Sequence, residues 1–419
     1  MRGTRSSMKI AAVLAAICLS LAISPRVAAQ TETVLHSFKS KEGASPLLGL
    51  IFDSCGNLYG VASEEGTSRS GSVFELSPNG SSWTEKTLHS FNGASNGATP
   101  LGTLVFHKSG NIYGTTKLGG SNGVGVVYKL TKSTSGTWSE TVLHNFGGRT
   151  DGLFPTGNLV FDSAGNLYGT TEGGGSKGNG DDNAGGTVFK LAPKSGGGWT
   201  ETVIHSFGGS GDGVSPRANL VLDSSGNLYG TTFLGGAHSA GTVFELSPKS
   251  GGSWTEKIIH SFNPGNFTDG QWPVAGLIFD HARNLYGTTT RGGEGDGGIV
   301  FELSPQSGGT WTETILYEFE YSFFQPSAPY SGLVFDTVGN LYGATFRGAG
   351  TSTLFDGTVF ELKPNGGGTW RAITLYAFGG SNGAVPALGS LIFDSSGNLY
   401  GATQAGGANK DGVVFKITP

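Results

Sequence analysis

Cysteine is nearly missing from this chain: there are 2 in 419 residues, Cys18 and Cys55. Cys18 falls inside an N-terminal leader, so an exported mature chain keeps one thiol and forms no internal disulfide. Its stability must come from packing and strand pairing. Cys55 stands in a turn, Asp53-Ser54-Cys55-Gly56, where sister turns carry Ser or Ala, and it reads as incidental. Helix signals are also lacking: none exceeds a few residues after position 30. No apolar run beyond the leader is long enough to cross a bilayer. No metal triad or phosphate loop appears. With 74 glycines in the chain, chance matches to glycine-spaced fingerprints carry no weight, so no cofactor is expected.

Basic charge is scarce as well. Arg2, Arg5 and Lys9 precede an apolar stretch from Ile10 to Ile23, and Val27-Ala28-Ala29 fits a cleavage site before Gln30. Residues 1–29 therefore read as a secretory signal peptide, and a secreted or periplasmic protein cleaved near Ala29 is expected. Removing them takes away four basic and no acidic residues, moving the formal net charge from −5 to −9. An acidic product argues against nucleic acid as partner.

What is abundant is repetition. Gly226-Asn227-Leu228-Tyr229-Gly230-Thr231-Thr232 is one of seven versions of a phrase, centred on Tyr59, Tyr113, Tyr168, Tyr229, Tyr286, Tyr342 and Tyr400. The spacings are 54, 55, 61, 57, 56 and 58 residues. Such a period means one supersecondary unit used repeatedly. Within a unit, short runs rich in Val, Leu, Phe, Tyr and Thr alternate with glycine-rich turns. In the fourth unit these are Asn219–Asp223, Asn227–Thr232, Thr242–Leu246 and Trp254–Phe262. Four antiparallel strands in seven units predict an all-β chain: a seven-bladed β-propeller of four-stranded blades. Residues 30–419 form its single domain. The mature chain begins with a lone fourth strand, residues 31–38, and ends with a third, residues 412–419. The N-terminal strand should complete the last blade, covering a sheet edge and closing the ring.

At these phrases the chain resembles the GloVer tandem-repeat family of exported bacterial proteins, called choice-of-anchor for their differing C-terminal tails. The matching residues are Leu-Val-Phe-Asp-Ser-Ala-Gly-Asn-Leu-Tyr-Gly-Thr-Thr at 159–171, Gly-Thr-Val-Phe-Glu-Leu-Ser-Pro at 241–248 and Trp-Thr-Glu-Thr-Val-Ile-His-Ser-Phe at 199–207. The resemblance implies a surface or periplasmic β protein of unassigned activity. The sequence stops at a third strand, so no anchoring tail is expected.

In a closed ring, residues repeated in every blade build the scaffold, and departures are candidates for ligand contact. By that rule His36, His89, His144, His205 and His260 pack between blades, since Tyr317 and Tyr376 replace them elsewhere. Outer-strand positions also diverge radially, which argues against a shared metal. Asp53, Asp162, Asp223, Asp280, Asp336 and Asp394 shape turns, with His107 in that place in the second unit. The departures lie on one rim. Lys117 and Glu172 follow the Gly-Thr-Thr phrase, and Arg291 and Arg347 stand one residue further on. Asp269 and Trp272 lie in one loop and Phe323 and Phe324 in the corresponding loop of the next unit. Together these suggest an aromatic wall with a carboxylate, suited to a sugar. Asp181 and Asp182 sit in an oxygen-rich tract that is a candidate for Ca²⁺. The leading expectation is a monomeric binding module for polysaccharide or protein, acting through the variable rim. The alternatives are a lyase- or lactonase-type propeller enzyme with polar groups at the channel mouth, and a structural envelope component.

Overall fold

The computed structural model describes residues 30–147, 149–178, 185–266, 268–321, 325–348, 356–386 and 388–418. Among them every regular element is a strand, and the strands form seven antiparallel blades. In the fourth blade Val221–Leu222 pairs with Leu228–Thr232, which pairs with Thr242–Pro248, which pairs with Trp254–Ser261. The register slips by one residue between Val243 and Phe244. The outer strand pair of every blade carries such a bulge. A bulge strengthens the local right-handed twist, which lets flat sheets stack as propeller blades.

The ring closes as expected. Thr31–Ser37 pairs antiparallel with Val413–Thr418, from Thr31 opposite Thr418 to Ser37 opposite Val413. Phe38 is fully buried and meets Phe74 of the first blade edge-on at 4.9 Å.

The core is divided into seven apolar clusters, one at each seam between blades. In the cluster between blades four and five, Tyr229, Val243 and Phe262 of one face Leu285, Phe301 and Leu303 of the next. The phrase glycine has a packing role here. A Cβ on Gly230 would lie 2.7 Å from Phe244 Cζ, so that ring fills the space over the strand. The tryptophans at the start of the fourth strands pack on the tyrosines of the preceding blade, as Trp311 does on Tyr229 at 6.1 Å. The turn aspartates behave as the pattern suggests. Asp53 Oδ1 accepts the N–H of Cys55 and of Asn57, while Oδ2 accepts from Asn57 Nδ2 and the Tyr59 hydroxyl. Burial opposes ionisation of Asp53, but these hydrogen bonds outweigh it and hold its pKa below the usual aspartate value.

On the face where second strands lead to third, a second device ties blade to blade. The glycine opening each third strand has positive φ and touches the proline of the next blade. For Gly241, at φ 102°, an added Cβ would lie 2.5 Å from Thr232 O and 2.7 Å from Pro273 Cδ. The residue before each of these prolines is non-glycine yet left-handed: Ser45, Thr99, Phe154, Ser215, Trp272, Ala328 and Val385 have φ between 54° and 61°. This backbone is held by the preceding blade; the Trp272 N–H, for example, donates to Ala240 O at 2.9 Å. Strain of this kind often marks a functional site. Here it recurs in all seven blades and belongs to the scaffold. Trp272 therefore occupies a repeated backbone position with a side chain of its own.

Candidate functional site at the channel mouth

Two positions of the repeat contribute residues to a cavity at the axis of the ring. One is the residue after the Gly-Thr-Thr phrase. The other is the residue after the seam proline. Five blades place Leu101, Thr156, Arg217, Val274 and Tyr330 around the axis, with Leu48 and Leu388 of the other two completing the circle. They enclose a cavity of about 280 Å³ to which Lys117 and Glu172 also contribute. Below these residues Thr103, Asn158 and Asn219 form a hydrogen-bonded belt. Gly49 N–H donates to Thr103 Oγ1 at 3.1 Å and Asn158 N–H to Asn219 Oδ1 at 2.8 Å. The belt fixes the first strands relative to one another, and so fixes the side chains above.

Those side chains form one connected arc over four blades. Lys117 Nζ is 2.8 Å from Glu172 Oε2, and Arg217 Nη2 is 2.6 Å from Glu172 Oε1. The Arg217 guanidinium lies 4.2 Å over the Phe233 ring, and Phe233 lies 5.9 Å from Trp272 at an interplanar angle of 36°. Lys117 also approaches the Phe154 ring at 5.8 Å. Across the mouth Tyr330 and Phe346 are 4.9 Å apart. Glu172 is buried, whereas Trp272 is 36% exposed, among the most exposed large apolar side chains of the described residues. Arg217 Nε is buried without a hydrogen-bond acceptor among them. The arc thus offers a cationic donor, a clamped carboxylate and two rings side by side.

The sequence-expected residues separate into groups. Lys117, Glu172 and Trp272 are brought together in the arc. Arg291 and Arg347 are not. They bracket the exposed Tyr321 ring at 4.4 Å and 4.9 Å, with Arg291 Nη1 3.0 Å from Asp296 Oδ2. Hydrogen bonding from Arg347, and the charge of both arginines, draws the Tyr321 pKa down. Asp269 is buried rather than presented on the rim. It accepts the Asn263 N–H at 2.8 Å and the Gly270 N–H at 2.6 Å, so its first task is to shape its own loop. Phe323, Phe324, Asp181 and Asp182 lie outside the described residues. Two members of the arc were missed. Arg217 was detectable, because it stands where the other blades carry Leu, Thr, Val, Tyr or Ala after the proline. Phe233 follows the Gly-Thr-Thr phrase of its blade, as Lys117 and Glu172 follow theirs, but had no contact to single it out.

The repeated histidines do pack between blades: His260 meets Phe262 edge-on at 4.6 Å. At two seams, however, the histidine also meets carboxylates near enough to share a cation. Their partners come from the adjoining seam. His205 Nε2 is 3.3 Å from Asp212 and 3.5 Å from Glu256 of the next blade, and His260 Nε2 is 3.4 Å from Asp269 and 3.5 Å from Glu313. Burial raises Glu256 to about 8 and Glu313 to about 7.

A family model described as the Gloeobacter/Verrucomicrobia repeat matches residues 23–182 and 179–415. No curated protein matches the chain. Among solved structures, it is similar to a "putative 6-phosphogluconolactonase" from Bacteroides uniformis, with 14% identity and a TM-score of 0.52 over 83% of this chain and 88% of that one. It is also similar to the extracellular domain of a "putative hybrid two component system" from B. thetaiotaomicron, with 13% identity and a TM-score of 0.54 over 92% of this chain and 39% of that one. At these identities the likeness is one of fold.

Proposed function

Since the chain belongs to the Gloeobacter/Verrucomicrobia repeat family, whose description names a repeat and no activity, its function must be read from the site, and we propose that it is a saccharide-binding module with its ligand at the channel mouth. The observation that carries this is the arc Lys117–Glu172–Arg217–Phe233–Trp272. Aromatic faces cover the apolar C–H surface of a sugar ring, and the adjacent charged groups reach its hydroxyls. Lys117 and Arg217 outnumber Glu172, so the local balance favours a sugar bearing a carboxylate, which Arg217 can pair with in fork geometry. An otherwise acidic surface would screen such a ligand from the rest of the molecule.

The enzyme alternative is less well supported. Glu172 is the one acidic residue of the cavity lining among the described residues, and both its oxygens are engaged by cations. A general base needs an oxygen within reach of the proton it removes. The proposed setting is outside the cytoplasm, in keeping with the leader at residues 1–29, and the proposed working form is a monomer. The test is titration calorimetry against neutral and uronate-containing oligosaccharides, with product analysis after long incubation. Saturable binding without turnover is expected. Turnover would move the reading to the enzyme, and absence of binding across the panel would remove it.

A further inference from the structure

Outside the channel, the structure brings three metal-ligating types together at two neighbouring seams. Among the described residues, His205, Asp212 and Glu256 form one cluster and His260, Asp269 and Glu313 the other, each with its ligand atoms within 4.8 Å of one another. Each cluster takes the histidine and aspartate from one side of a seam and the glutamate from the next blade. We propose that these are divalent transition-metal sites of the Zn²⁺ class, stapling blade three to four and blade four to five.

The geometry supports this in three ways. Zinc bonds of about 2.0–2.1 Å to imidazole and carboxylate at tetrahedral angles put ligand atoms roughly 3.3–3.5 Å apart. The His260 Nε2 to Asp269 Oδ1 and Glu313 Oε1 separations are 3.4 and 3.5 Å. Glu313 Oε1 and Glu256 Oε1 are each buried, and each lies 3.5 Å from the histidine Nε2 of its cluster, longer than a good hydrogen bond, so each faces into the cluster. A buried carboxylate oxygen without a donor is costly, and a cation removes the cost. Finally, the aspartate is held from outside by backbone N–H groups, as second-shell partners hold metal ligands elsewhere. Three protein ligands leave the fourth position to water. At the seam of blades three and four, Lys177 Nζ lies 3.6 Å from Asp212 and competes for the carboxylate, so that site should be the weaker.

The comparison among seams is informative. Between blades one and two, Asn96 stands where the two cluster seams have aspartate, beside His89 and Glu140, and among the described residues no such cluster forms. That seam supplies an internal control. The experiment uses the full mature chain without a histidine tag, stripped with chelator and titrated with Zn²⁺ by calorimetry and with Co²⁺ by visible absorption. Between one and two ions per chain are expected, with the intense absorption of low-coordinate Co²⁺ and a rise in Tm on Zn²⁺ addition. Glu313→Gln should weaken the tighter site by tenfold or more, and Glu140→Gln should leave both unchanged. Asp269→Asn, which keeps an acceptor for the backbone donors, is the second variant should Glu313→Gln fold poorly. Failure of the folded wild-type chain to take up Zn²⁺ would overturn the proposal. So would uptake that survives Glu313→Gln and Glu256→Gln combined.

Discussion

Replacing Gly241 with alanine tests how the blades are held together. The glycine sits at φ 102°, outside the range an L side chain adopts comfortably, and its absent Cβ leaves room for Thr232 O at 2.5 Å and Pro273 Cδ at 2.7 Å. Both obstacles are rigid: one is backbone in the same blade, the other the ring of the next. The conformational strain is worth about 1–2 kcal/mol. Overpacking a filled site adds about 1–3 kcal/mol. Gly226→Ala is the matched control. Gly226 has φ 85°, but its nearest neighbour to a Cβ is Pro248 Cγ at 3.8 Å, so only the strain applies. Denaturant unfolding of both variants should show Gly241→Ala less stable than Gly226→Ala by about 1–3 kcal/mol. Equal losses would refute the reasoning, because the seam contact would then contribute nothing.

Removing residues 30–38 strips Leu35 and Phe38 from the last seam and exposes the edge of Val413–Thr418. A loss on the order of several kcal/mol is expected in thermal or denaturant melts, with ~1.5–3 kcal/mol for each large apolar side chain; an unchanged melt would contradict closure by this strand. Acidity acts at the seams too. Burial raises Glu140 to about 7 from an unfolded value of 4.5, so the folded state holds the extra proton. Its contribution is fully present below pH 4.5 and is lost as pH rises through about 7. Glu140→Gln should therefore gain stability relative to wild type at pH 8, on the order of 1 kcal/mol after allowance for partial solvent screening, and lose that advantage at pH 5. Melting curves at the two pH values check it.

The architecture was legible because each blade repeats the same three phrases, and periodic strands with glycine turns have few alternative solutions. Closure was legible for the same reason: a lone fourth strand at one end met a missing fourth strand at the other. The site was only partly legible. Lys117 and Glu172 are 55 residues apart, and Arg217 is 45 beyond Glu172. Equivalent positions of consecutive blades become neighbours at the axis, which a linear reading captures only once the inward-facing positions are known. Trp272 stood out as a departure from the repeat because the residue before the seam proline varies freely, from Ser to Phe to Val. Asp269 was misplaced for a related reason. Its neighbour Trp272 lies beside Phe233, while Asp269 turns inward to backbone donors and His260. The His–Asp–Glu clusters were hidden because each needs one residue from the next blade.

The most direct measurement compares two double variants in the same uronate-oligosaccharide titration. Arg217→Ala with Trp272→Ala removes a cation and a ring from the channel arc. Arg291→Ala with Arg347→Ala removes two cations from the Tyr321 cluster on the same face. If the ligand sits at the channel mouth, the first pair weakens binding by about a hundredfold or more, since two contacts of about 1.5 kcal/mol each are lost, and the second pair leaves it nearly intact. Intact binding in the first pair, with both proteins melting as the wild type does, would contradict it.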